Sequence, residues 1–150
     1  MSASPLHLDD LAPGRRLASA ALTVTRDDIV GFARSYDPQP FHMDEAAATA
    51  SLFGGLVASG WHTAALTMRL LVDSLPIAGG LVGAGGALEW PRPTRPDDTL
   101  RVESEVVEVA PSRSKPDRGL VTLRCETLNQ HGEPVQIMRP RLVVPRRRAV

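Results

Sequence analysis

The spacing of apolar and polar positions divides the chain into a helix-rich first half and a strand-rich second half, the order expected of an α+β domain. Residues 15–24 predict an opening strand. Thr25 followed by Asp28 makes a capping-box-like start for a helix over about 26–35, with Ile29, Val30, Phe32 and Ala33 on its apolar side. Pro38 disfavours helical geometry at Asp37, so that helix must end there. Asp44 then caps a short alanine-rich helix from Glu45 to about Ser51. Beyond the Gly54-Gly55 connection, Gly60 leads into the most strongly marked helix, about 61–74. In it His62, Arg69 and Asp73 fall within roughly 40° of one another, a stripe interrupted by Leu66. Trp61, Ala64, Ala65, Met68, Leu70, Leu71 and Val72 fill nearly every other direction. A helix this apolar around its circumference predicts cover on all sides.

The second half supplies the cover. Residues 81–90 are glycine-rich and apolar, and end at Glu89-Trp90 before a turn carrying Pro91, Pro93 and Pro96. Residues 99–109 alternate Leu100, Val102, Ser104 and Val106 against Arg101, Glu103 and Glu105, then slip at Val106-Val107, where a bulge is expected. Residues 119–128 set Val121, Leu123 and Cys125 against Thr122, Arg124 and Glu126, and His131-Gly132 signals a hairpin turn. The last strand, about 135–145, carries Pro140, which suits an edge or a bulge. Together these predict an antiparallel sheet of about five strands curled around one long central helix, in one domain spanning 1–150.

Composition narrows the function without choosing it. The hydrophobic share of 43% and charged share of 23% suit a soluble globular protein, and a net charge of zero gives no reason to expect nucleic acid or an acidic membrane as partner. No secretory leader or membrane-spanning run is visible, so a cytoplasmic location is expected. The single cysteine, Cys125, cannot form an internal disulfide and reads as a small buried apolar residue. The four histidines share no metal-ligand spacing, so no metal site is expected.

The chemistry concentrates in Tyr36–Asp44, Y-D-P-Q-P-F-H-M-D. Asp37 precedes His42 by five residues, with Pro38 and Pro40 stiffening the span. A carboxylate and an imidazole so held can grip one water from two sides, and their ordinary pKa values of about 3.9 and 6.5 suit proton transfer near neutrality. The bland alternative is a helix terminator followed by a packing histidine. His62 and Trp61 open the long helix nearby, and His62 could line the site; its plainer role is a structural histidine paired with a backbone or helix partner.

The same residues, followed by F-G-G-L-V-A-S-G-W-H, resemble the signature of the MaoC-like dehydratases, which include the (R)-specific enoyl-CoA hydratases. The resemblance runs from about Val24 to Leu75 and implies a hot-dog fold, a homodimer and an acyl-CoA thioester as substrate, with no cofactor. It implies reversible hydration of a trans-2-enoyl-CoA to a (R)-3-hydroxyacyl-CoA, with Asp37 and His42 holding the water. It further implies that the Gly60 N–H receives the thioester oxygen, with Ser59 and Trp61 beside it. Unpaired N–H groups at a helix start lie at the positive end of its dipole, so that role is physically sensible. A glycine needed only for the turn into the helix is the other reading of Gly60. Two departures stand out: Gln39 where the family usually has Asn, and Ser59 where His often precedes the glycine. Arg92 and Arg95, flanking the proline turn, are candidates for the coenzyme A phosphates, against the default of a solvated cationic surface. A hot-dog acyl-CoA thioesterase and a non-catalytic acyl-CoA-binding subunit remain as alternatives.

Overall fold

The computed structural model describes residues 4–148. Helix α1 (Arg26–Tyr36) begins where expected: Thr25 Oγ1 accepts the Asp28 N–H at 3.1 Å, and the helix buries Ile29 and Ala33. The span expected to be only a stiff loop is instead a helical turn, α2 (Pro40–Met43). Pro40 suits its first position, where the missing N–H would have had no helical partner anyway. Helix α3 (Glu45–Thr49) follows, with Asp44 Oδ2 accepting the Ala47 N–H at 3.1 Å. Helix α4 (Gly60–Ser74) starts on Gly60 itself, capped by Ser59.

The strands are β1 (Arg16–Ala18), β2 (Leu22–Thr23), β3 (Val82–Glu89), β4 (Thr99–Pro111), β5 (Arg118–Leu128) and β6 (Pro134–Pro145). They form an antiparallel sheet in the order β1-β4-β5-β6-β3, with β2 also on β4. The predicted opening strand is thus broken in two, which gives six strands among the described residues rather than about five. The register of β4 against β5 shifts between Val106 and Glu108, at the expected bulge. Leu100, Val102, Ser104 and Val106 all turn inward, as do Val121, Leu123 and Cys125.

Of the two settings expected for Pro140, an edge is excluded because β6 lies between β5 and β3, and a disturbed strand is found: the β3–β6 register shifts between Gly83 and Gly85, opposite Leu142 and Arg141. The sheet accommodates it in two ways. Pairing with β5 runs to Thr122↔Arg141 and resumes only at Cys125↔Met138, so Pro140 falls in a gap where no N–H is demanded. On the other side Gly86 is its partner, where a Cβ would lie 2.5 Å from the Arg139 carbonyl oxygen.

The main core packs Leu70 and Leu71 of α4, and Leu75 at its C-cap, against Val102, Val106, Val121, Leu123, Leu142 and Val144 of the sheet. Each such side chain contributes about 1.5–3 kcal/mol when fully buried. Cys125 joins them, and burial pushes its thiol up to about 11. A second cluster of Val24, Ile29, Ala48, Leu56, Ala58, Leu100 and Val135 fastens α1, α3 and the segment before α4 to the strands. The predicted cover on all sides of α4 is not complete within the chain. Its sheet-facing side is buried, but Trp61, Ala65, Met68 and Val72 form a stripe open to solvent. Among the described residues no helix is long and apolar enough to cross a membrane.

Candidate active site

Asp37 ends α1: its N–H still bonds the Ala33 carbonyl at 2.8 Å, while Pro38 prevents the helix from continuing. The chain folds back at once, with the Gln39 N–H on the Asp37 carbonyl at 2.7 Å, and α2 presents His42 to the Asp37 carboxylate. His42 Nε2 lies 3.3 Å from Asp37 Oδ2, so the two predicted residues are brought together. The side chain of Gln39 makes no cap bond to α2, so its extra methylene puts no demand on the turn.

His42 is buried, and its Nδ1 lies 2.7 Å from the Val57 carbonyl oxygen. A carbonyl can only accept, so Nδ1 carries the proton and Nε2 is the working nitrogen. The Val57 N–H in turn bonds the Phe41 carbonyl at 3.2 Å, and the Ala58 N–H bonds the Thr94 carbonyl at 2.8 Å. The segment leading into α4 is therefore tied both to the histidine turn and to the proline turn after β3.

Ser59 is fully buried; its Oγ donates to Asp37 Oδ2 at 2.7 Å and accepts the Trp61 N–H at 3.2 Å. Gly60, the first residue of α4, has an N–H without an intrahelical partner. The Trp90 indole lies across Gly60, where a Cβ would fall 2.6 to 2.7 Å from three ring carbons. That ring is held by its Nε1–H, which donates to Oε1 of the buried Gln136 at 2.9 Å. Trp90 donates only, so the Gln136 oxygen must face it, and the amide nitrogen is left buried without a partner among the described residues.

His42 and Gly60 share one cavity of about 400 Å³, with Phe41, Phe53, Val57, Thr63 and Trp90 among its walls. A hollow of similar size, about 420 Å³, lies on the other side of the sheet between Arg16, Glu103, Glu105, Arg124 and Glu126. Its charges are largely paired with each other and it holds neither member of the dyad. Trp61 stands apart from the cavity walls: its indole is 61% exposed and meets Trp90 edge-on at 5.3 Å. Arg92 reaches the cavity rim but pairs with Glu133 at 3.2 Å. Arg95 donates to the Phe53 carbonyl at 2.9 Å and does not line the cavity.

His62 is buried and does not line the cavity; of the two expected partners, backbone or helix, it has the helix. It stacks on Phe32 of α1 at 4.7 Å and 6°, with Nδ1 unpartnered among the described residues. Burial lowers its pKa, opposed by the charge of Asp28 and assisted by that of His42, so it is neutral near neutral pH. The stack also explains why His62 is covered while Arg69 and Asp73, on the same face, are not. Trp90 and Gln136 were not singled out by sequence; a tryptophan at the mouth of a proline turn was the available signal for the first. Among the described residues no cluster of side chains is suited to hold a metal ion.

The chain belongs to the family described as MaoC like domain, which matches residues 5–127. Its fold is closely similar to the structure of a MaoC-like dehydratase from Rhodospirillum rubrum, with a TM-score of 0.94 and 56% identity over 96% of this chain and 99% of that one. It is also similar to the unliganded R-hydratase PhaJ1 from Pseudomonas aeruginosa, with a TM-score of 0.76 and 26% identity over 95% of this chain and 88% of that one. The 3-hydroxybutyryl-CoA dehydratase of Methylorubrum extorquens is 34% identical over 93 residues, covering 61% of this chain and 59% of the relative. The antiparallel sheet with its packed helix is the hot-dog architecture of these hydratase and dehydratase neighbours.

Proposed function

We propose that the chain catalyses reversible hydration of a trans-2-enoyl-CoA to a (R)-3-hydroxyacyl-CoA. The observation that carries this reading is the Asp37–His42 pair at 3.3 Å, whose imidazole, fixed by Val57, lines one cavity with Gly60, the first residue of α4. Water held by the pair attacks C3 while the Asp37 carboxylate takes its proton. The pair returns a proton to C2, so that H and OH add across the double bond and the dyad is restored. As electrons move onto the thioester oxygen, the Gly60 N–H and the helix dipole stabilise the enolate charge. Conjugation with the thioester already makes C3 electrophilic, so the proposed chemistry needs no cofactor. Acyl-CoA as substrate is supported by the Methylorubrum relative, a 3-hydroxybutyryl-CoA dehydratase, and the (R) configuration by the R-hydratase neighbour.

Incubation with crotonyl-CoA tests the proposal. Loss of enoyl absorbance without release of free thiol, giving 3-hydroxybutyryl-CoA of (R) configuration, is the expected result. Thiol release would instead identify a thioesterase, and no turnover of any enoyl-CoA in a broad panel would leave only a binding role. The same panel run against salt tests Arg92 as a phosphate contact, since that attraction weakens with screening.

The proposal includes a homodimer. The open stripe of Trp61, Ala65, Met68 and Val72 on α4, and the free edge of β3 with Val82 half exposed, are surfaces that a second copy would cover. Sedimentation should give twice the mass of the chain, and Met68→Glu should shift that to a single chain. An unchanged mass for the variant would place the contact elsewhere.

A further inference from the structure

We infer that Ser59 is a positioning residue that decides which oxygen of Asp37 handles the proton and locks that choice to the tip of α4. The inference rests on the proposed hydration. Ser59 is fully buried, so it does not meet substrate. A hydroxyl has one proton and two lone pairs, and the Trp61 N–H occupies one lone pair. The proton must therefore go elsewhere, and it goes to Asp37 Oδ2 at 2.7 Å, the length of a charge-assisted bond.

Oδ2 is also the oxygen facing His42 Nε2. Since Nδ1 already donates to Val57, an unprotonated Nε2 would set its lone pair against those of a carboxylate. Oδ2 thus accepts from Ser59 and lies against His42, while Oδ1 has no bond to Ser59. Oδ1 is the oxygen left with free lone pairs to accept from water. The same hydroxyl caps the helix whose first N–H is the proposed thioester-oxygen donor, so one side chain fixes base and oxyanion donor relative to each other. The histidine that often stands here in the family could not fill this role in the same way, since it is not the short hydroxyl cap that reaches both groups.

Three variants test this: Ser59→Ala, Ser59→Gly and Ser59→Thr. Glycine lacks the hydroxyl yet is well tolerated at a helix N-cap, which separates loss of the proton donor from loss of the cap. For the Ala and Gly variants kcat should fall about 10–100-fold, the equivalent of one hydrogen bond to a charged group, with KM changed less than about threefold. Thr should restore most of the rate. Without substrate, the carboxylate carbon resonance of Asp37 should move in Ala and Gly and return in Thr. Ala and Gly variants that keep the wild-type kcat, or an Asp37 resonance unmoved in both, would overturn the inference. Inactivity of the wild type toward enoyl-CoA would sink the proposed function instead, while the resonance measurement would still decide the role of Ser59.

Discussion

Asp37→Asn is expected to lower the kcat for crotonyl-CoA hydration by about 10²–10⁴-fold, the usual contribution of a positioned acid or base. The substitution keeps the size of the side chain, and the Asn carbonyl can still accept from Ser59. What disappears is the ability to take a proton from water. His42→Gln should fall in the same range, because it removes the nitrogen that faces Asp37 while keeping a donor for the Val57 carbonyl. His42→Ala is the harsher change: it empties a buried position and leaves that carbonyl unpaired, so it should also destabilise the fold by roughly 1–3 kcal/mol. The two residues act on one water, so their effects should not add. A double Asp37→Asn, His42→Gln variant is expected within about tenfold of the worse single variant, as for catalytic groups that work as a unit. Rates measured at saturating substrate, with folding checked by denaturant titration, decide the matter. A tenth or more of wild-type kcat in folded Asp37→Asn would remove the carboxylate from the proposed chemistry.

The dyad was legible because its two members lie on one short stretch whose prolines restrict where the chain can go. Sequence could not show that Pro40 starts a helical turn, since a proline looks alike in a stiff loop and at a first helical position. Thr25, Asp44 and the alternation of β4 and β5 were readable for the same reason: neighbours a few residues apart settle them. Contacts between distant segments were not. Pro140 reads as either an edge or a bulge residue, and the choice between them needs the gap in β5 pairing and the bare Cα of Gly86. The expected bond partner of His62 proved to be the ring of Phe32 on another helix. Ser59 was readable as a neighbour of the helix tip, but its bond to Asp37 joins residues 22 apart in the chain. The apolar circumference of α4 is real; what the single chain does not supply is cover for one side of it.

That same distance in sequence hides the reason Gly60 must be glycine. Gly60→Ala is expected to lower kcat by about 10²–10³-fold, the cost of losing one oxyanion donor from its proper place. The backbone there is ordinary helix, so the restriction comes from the indole of Trp90 and not from strain at Gly60. A methyl group would stand 2.6 to 2.7 Å from three ring carbons, and the ring cannot swing away while Gln136 holds its Nε1–H. Either the indole breaks that bond, leaving the buried Gln136 amide with neither end paired, or the tip of α4 moves outward with its N–H. Overpacking of this kind should destabilise the protein by about 1–3 kcal/mol. Removing the obstacle distinguishes the two parts of the effect. In a Trp90→Ala background, Gly60→Ala should have little further effect on stability, a coupling of about 0.5–3 kcal/mol between touching residues. Denaturant midpoints of the two single variants and the double variant measure that coupling directly. If Gly60→Ala alone keeps wild-type stability and rate, then the indole moves freely, and the glycine serves only the turn into the helix.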